Sequence, residues 1–361
     1  SVTGRFADRG MSLPEIASEL GVDAVLDGSV LREDAEVRVS ARLIEAVSGR
    51  SLWDESFRRT LTSILALQGE VARAVAQEVR VTLTPDEAGR LSAAPEVNPD
   101  AYEAYLKGVF HFRTLTPEAL DLGEQYFVLA LQYDSTFARA HAGLSLVWAG
   151  RGQMGIAPPP EAARRSHEFV LKALELDEGL AVAHHALAVG LTWQQWRWEE
   201  AWDHWRRALE INPNDGQTNA YYAHFLAIMG LPDEALPYAE RAVELDPFSG
   251  LFHALHGVTL VFSRNYDEAI AAASRALELD PNIPLDARPM AYLAAGMRDE
   301  QLAHQRERIA VDPERLAAFE RGLEEGGYEG AQIAIADLLA ERYRRDGFGE
   351  FGASGIALRY M

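Results

Sequence analysis

His184-His185 and His253-xx-His256 could each offer two imidazoles from one helix to a metal. Trp193, Trp196, Trp198, Trp202 and Trp205 crowd into "TWQQWRWEEAWDHW" (192–205), where aromatic faces could cage a ligand. Each reading has a plainer rival. His141, His184 and His253 hold one column of a repeat set out below, so they lie about a repeat apart, too far to share an ion. No carboxylate or further histidine stands at a spacing that completes a zinc site, and packing is the expected role. Trp198, Trp202 and Trp205 recur at helical spacing on one face and are expected to be core side chains. Trp193 and Trp196 fall in the loop before that helix, and for them a ligand-facing role stays open.

Other chemistry is not legible. The chain has no GxxxxGK[ST] phosphate loop, no HExxH, no GxSxG elbow and no kinase HRD–DFG pair. "GGYEG" (326–330) follows a helical pattern instead of a strand, and "GASG" (352–355) is a short loop fragment. Glu199-Glu200 and Glu324-Glu325 fall on helix surfaces or ends, where solvation is the expected role. With no cysteine, disulfides, thiolate metal sites and a cysteine nucleophile are excluded. No catalytic residue, cofactor or metal is expected, and the chain reads as non-enzymatic. Its 34 basic and 55 acidic residues give a net charge of −21, a field that repels nucleic acid. No apolar run is long enough for a transmembrane helix. A cytoplasmic location is expected, with a periplasmic or membrane-tethered parent as the alternative.

The elements that would position these residues follow a period. Pro213, Pro247 and Pro281 are spaced by 34, as are Ala208, Ala242 and Ala276, and Ala201, Ala235 and Ala269. Small residues at two fixed places and a closing proline are the tetratricopeptide signature: helix–turn–helix units that bury their apolar faces on their neighbours. Alanine stands where two helices approach closely, and proline ends the second helix. Units close near Ser135, Glu178, Pro213, Pro247, Pro281 and Pro313, over residues 100–320, with "GRGQMGIAPPPE" (150–161) as a longer internal loop. Residues 321–361 read as a further repeat of two helices divided at Gly326-Gly327, truncated at "GIALRYM".

The beginning differs. "SLPEIASELG" (12–21) reads as a helix, and residues 22–32, 36–46 and 51–59 as strands. In the middle strand Val37, Val39, Ala41 and Leu43 alternate with Arg38, Ser40 and Arg42. A helix follows over 62–81. Residues 1–83 thus form a small α+β unit, and 84–99, with Pro85, Pro95 and Pro99, a linker. The fold class is mainly α: a helical solenoid after a small α+β domain.

"IASELGVDAVLDGSV", "RVSARLIEAVSGRSLWDESFRR" and "ILALQGEVARAVA" resemble the second half of the TolB amino-terminal-like domain of bacterial signalling proteins. "NPDAYEAYLKGVFHF" (98–112) and "WRWEEAWDHWRRALEINPN" (196–214) resemble the tetratricopeptide array that follows it there. Counterparts of that domain's first strand and helix, and of the usual closing repeat, are missing, so a fragment is expected. The resemblance implies a sensory and scaffolding region beside a kinase, cyclase or winged-helix effector. An envelope-associated assembly adaptor built from the same modules is the alternative.

What remains for function is a surface. Tetratricopeptide arrays present the first helix of each unit along a concave groove. The groove positions of the pattern map to Arg139, His185, Trp193, Tyr221, His224, Val258 and Phe262. This set is aromatic and apolar, with little positive charge. The Lys, Arg and Asn clamp for an acidic peptide carboxylate is absent from it. An apolar or mildly basic protein segment is therefore the expected partner.

Overall fold

The structure, a computed structural model, describes residues 15–17, 22–33, 36–79, 89, 97–114, 116–283 and 285–346. Most of the expected helix 12–21, most of the expected linker and the stretch 347–361 lie outside these residues; 15–17 are helical.

Strands β1 (Ala24–Glu33), β2 (Glu36–Glu45) and β3 (Ser51–Thr60) form an antiparallel sheet in the order β1-β2-β3. Register follows the alternation: Val39 lies opposite Val30 and Phe57, and Leu43 opposite Leu26 and Trp53. That face meets helix α1 (Ile64–Glu78) through Leu67, which is buried, and through an Arg59–Glu70 ion pair at 2.5 Å. The other face is polar, with Arg42 paired to Asp27 at 2.6 Å. A one-residue slip would exchange the two faces.

Beyond the sheet, the described residues are mostly helical. The helices are α2 (Pro99–Phe112), α3 (Pro117–Tyr133), α4 (Ala138–Gln153), α5 (Pro159–Leu176), α6 (Ala181–Trp193), α7 (Trp198–Ile211), α8 (Gly216–Ile228), α9 (Pro232–Leu245), α10 (Gly250–Phe262), α11 (Tyr266–Leu279), α12 (Arg288–Ala295), α13 (Arg298–Ile309) and α14 (Pro313–Asp346). The expected small positions are sealed: Ala201, Ala208, Ala235, Ala242, Ala269 and Ala276 are all fully buried. Helix ends repeat in atomic detail. The carbonyls of Ala130, Ala173, Ala208, Ala242 and Ala276 each accept the N–H of the residue four on, at 2.9–3.1 Å. That residue is Asp134, Asp177, Asn212, Asp246 or Asp280. Its side chain then accepts the N–H two residues further on, an Asx turn that carries the chain into the next unit. Each of these residues leaves the helical region, with φ between −137° and −150° and ψ between 87° and 99°, and the prolines at 213, 247 and 281 likewise disfavour a helical predecessor.

The chain divides into two compact units, Ser1–Thr218 and Asn219–Met361. In the first, the sheet region is tied to the array. Gln68 donates to the Tyr102 hydroxyl at 2.9 Å, Arg32 pairs with Glu103 at 3.0 Å, and Val97 N–H donates to the Thr62 carbonyl. In the second, α14 turns at Gly326-Gly327, as its sequence predicts. Gly327 takes φ 61°, ψ −145°, a conformation open in practice to glycine alone. The two halves cross so closely that a Cβ on Gly322 would collide with the Gly330 carbonyl oxygen. Arg342 closes the hairpin onto Asp312 and Glu314.

The tryptophan stripe needs correction. Trp205 is fully buried, but Trp198 is 36% exposed and Trp202 only half-buried. Trp198 is the first residue of α7, where less of the neighbouring helix covers it, and its indole N–H donates to the Thr192 carbonyl at 3.2 Å. Trp193, expected in the loop, is the last residue of α6.

Candidate peptide-binding surface

The histidine column is structural. Nε2 of His141, His184 and His253 lies 3.2, 2.9 and 2.9 Å from the carbonyl oxygens of Ser135, Glu178 and Pro247, the closing positions of three units. A carbonyl only accepts, so Nε2 carries the proton in each ring. Nδ1 of His184 is then an acceptor, and it faces Nδ1 of His204 at 2.9 Å, so His204 donates through Nδ1. Burial, then the neighbouring imidazole, lowers the protonation of His204. His256 is likewise depressed, by burial first and by His253 second. Among the described residues no group of three or more His, Cys, Asp or Glu is placed to hold a metal.

In the first unit, Arg139 stands half-buried on α4. His185, expected to line the groove, is 2% exposed and belongs beneath the surface. Its ring meets Trp205 edge-on at 5.2 Å. Its Nδ1 lies 3.1 Å from Thr218 Oγ1, and the Thr218 hydroxyl donates to Asp215. Since that hydroxyl spends its proton on the carboxylate, His185 donates through Nδ1. The chain of bonds pins the start of α8, which Asp215 caps through Thr218 N–H at 2.9 Å. Burial pushes His185 down to about 4, against a smaller opposing pull from Asp215. Trp193 is half-buried and edge-on to Trp205 at 5.9 Å. The Trp205 indole N–H donates to Thr192 Oγ1 at 3.1 Å, so this ring is both packed and satisfied.

In the second unit, Tyr221 and His224 on α8 are half-buried. Burial raises the Tyr221 hydroxyl to about 12 and lowers His224 to about 4. Tyr221 packs on the cluster of Ala220, Ala242 and Leu255. Val258, also expected in the groove, is a correction: at 3% exposure it lies in the core with Ala269 and Ala273. Phe262, at the end of α10, is 42% exposed. The second unit thus offers one open aromatic ring on α10, with two half-covered polar rings on α8.

A cavity of about 480 Å³ lies elsewhere in the first unit, lined by Glu55, Phe57, Arg58, Arg59, Glu70 and Arg73 among others. Its arginines are engaged: Arg59 with Glu70, and Arg58 with Glu33 and Glu36. Among the described residues no helix is long and apolar enough to cross a membrane.

Residues 252–283 match the tetratricopeptide repeat family. Over 209 residues, 54% of this chain, the sequence is 29% identical to "Putative adenylate cyclase 3" of Rhizobium meliloti (strain 1021). The match spans 34% of that relative's length. Among solved structures, the human IFIT1 dimer with m7Gppp-AAAA is similar at a TM-score of 0.53, with 13% identity over 78% of this chain and 64% of that one. A tetratricopeptide repeat protein from Parabacteroides merdae ATCC 43184 is similar at 0.44, with 14% identity over 73% of this chain and 98% of that one. The matched residues make up one of the 34-residue helix pairs described above.

Proposed function

We propose that this chain is a non-catalytic protein-interaction and sensory-regulatory region of a bacterial signal-transduction protein. In this reading residues 1–83 are part of a TolB-like domain, 84–99 a linker, 100–320 tetratricopeptide repeats and 321–361 a further, truncated repeat. The single observation that carries the interaction reading is the repeat itself: helix pairs sealed by alanine columns, with their conserved-geometry ends set by one Asx turn per unit. Such construction leaves the first helices free to carry variable side chains. The signalling context draws support from the cyclase-named relative, of which a third is matched.

Each unit offers a candidate binding surface of its own: Arg139 and Trp193 in the first, and Tyr221, His224 and Phe262 in the second. His185 and Val258 act beneath them as packing. The partner is an apolar or mildly basic protein segment. Phe262 is the cleanest probe, because Tyr221 also fills the core of its unit. Partners are captured from a lysate of the source bacterium with the full chain, and again with Phe262→Ala. A loss of about 2 kcal/mol in binding, the size of a hot-spot effect, is expected with the fold unchanged by circular dichroism. Equal capture by the natively folded variant overturns the surface assignment.

A further inference from the structure

The turn before the second helix of a unit takes a left-handed backbone at three equivalent places: Trp196 (φ 57°), Gly230 (φ 78°) and Arg264 (φ 63°), spaced by 34. The connection demands this conformation. Glycine adopts it without strain, whereas a Cβ meets the backbone there at a conformational cost. Arg264 sets a long, soluble side chain in that place. Trp196 instead combines the strain with a ring that is 70% exposed to water. Neither local conformation nor burial favours tryptophan here, and strain that the surrounding structure holds in place points to use.

The surroundings say what would use it. The Trp196 ring meets Trp198 at 5.8 Å and 55°, forming an open aromatic corner. Trp198 is held by its bond to the Thr192 carbonyl, so one wall of the corner is fixed. Arg197, the residue between them, is drawn away to Glu200 at 2.8 and 2.5 Å and to Gln195 at 3.4 Å. The chain's own cation therefore does not occupy the ring faces. Glu199 and Asp203, both exposed, follow in the first turns of α7. Indole faces attract a guanidinium by its charge and its flat shape together, exposed carboxylates on the same helix add to that field, and the net charge of −21 steers cations toward the chain.

We propose that the Trp196–Trp198 corner is a docking site for an arginine side chain of a basic peptide segment, outside the set of groove residues. The proposal rests on the interaction reading above and adds a site and a partner chemistry to it.

The test uses the full chain and a fluorescein-labelled Gly-Ser peptide with arginine at every third position. A matched peptide carries citrulline, which keeps the shape and removes the charge. Binding is read by anisotropy and by tryptophan emission. Trp196→Gly removes the ring and restores the residue that Gly230 uses, so its melting temperature should be equal or higher. The expected result is about tenfold weaker binding of the arginine peptide by Trp196→Gly, a smaller loss with Glu199→Gln, and a comparable tenfold loss for citrulline on the natural chain. Equal binding by natural chain and Trp196→Gly overturns the proposal in favour of diffuse attraction to the acidic surface. Equal binding of arginine and citrulline peptides overturns it in favour of a simple apolar contact. Self-association of the peptide-free chain that Trp196→Gly abolishes would make a second copy the occupant, and would also overturn it. Phe262→Ala leaves the corner intact, so the groove reading and this one fail in separate experiments.

Discussion

The sheet and the repeats hold themselves together by opposite means. In the sheet, burial is concentrated on one strand: Val37, Ala41, Leu43 and Ile44 of β2 are buried, while Leu26, Val30 and Leu31 of β1 are exposed. Its order depends on pairing residues up to 24 apart, such as Glu36 with Thr60, in one register. In the repeats, burial is spread evenly, a few alanines and one or two large rings per unit, and helix ends are fixed by bonds spanning two to six residues. A region built from short-range, repeated contacts tolerates change at its surface and is intolerant at its columns. A region built on one central strand concentrates its sensitivity there and leaves its edges permissive.

The largest effects should therefore fall on the columns. Trp205→Ala removes the largest fully buried side chain among the described residues, together with its bond to the Thr192 hydroxyl. A loss of about 3–5 kcal/mol is expected, as for other large core truncations, read as a sharp fall in the denaturant midpoint. An unchanged midpoint would mean that Trp205 is not the keystone of its unit. Ala242→Leu acts in the other direction. Ala242 is fully buried against Ala220 and Leu255, and overpacking there should cost roughly 1–3 kcal/mol. A leucine accommodated with no change in melting temperature would show that the helix spacing is soft, which contradicts the column argument.

Titration sharpens the comparison next, because the buried histidines all lie in the repeats. An imidazole in the unfolded chain takes its proton near the ordinary value of about 6.5. Folded His185 takes it only at about 4. Between those values the unfolded state binds a proton that the folded state refuses, so stability falls as pH drops from about 6.5 to 4 and is unaffected by this group above 6.5. His224 acts in the same sense in the second unit. His185→Gln, whose amide can still donate to Thr218, should flatten the slope of stability against pH by close to one proton in that window. Identical slopes for the two proteins would place the acid sensitivity elsewhere.

The sequence reveals the repeats readily because their physics is periodic. Alanine columns, closing prolines and the break at Gly326-Gly327 each need one residue type at one place, and the type is visible without a fold. The β2 alternation is visible for the same reason. What stays hidden depends on which neighbour arrives. The groove positions of the pattern do not distinguish exposed Phe262 from buried Val258, four residues earlier on the same helix, since that depends on how far neighbouring helices cover α10. The His184–His204 and His185–Thr218–Asp215 bonds join separate elements that no spacing rule links. The Asx column at Asn212, Asp246 and Asp280 was open to view, one residue before each proline, and its meaning emerges only with the hydrogen bonds. Trp198 misleads because helical spacing fixes a face but not how far cover extends toward the helix end.

The smallest expected effect tests the permissive surfaces of both regions. Arg241 and Glu244 pair at 2.9 Å on the outside of α9, and Arg207–Glu210 and Arg275–Glu278 repeat the pair one unit before and after. Such a row looks like a stabilising device. Both partners of each pair are nonetheless well exposed, so water screens the attraction and two long side chains lose freedom in making it. Glu244→Ala should change stability by no more than about 0.5 kcal/mol, within the usual range for an exposed pair three residues apart. On the sheet, Val30→Thr keeps β-branching at a position that is 71% exposed and should be equally mild. Melting curves of both variants should overlay that of the natural chain. A clear loss in Glu244→Ala alone would mean the charge row is part of what sets the repeat, and a clear loss in Val30→Thr alone would mean that β1 is covered in solution.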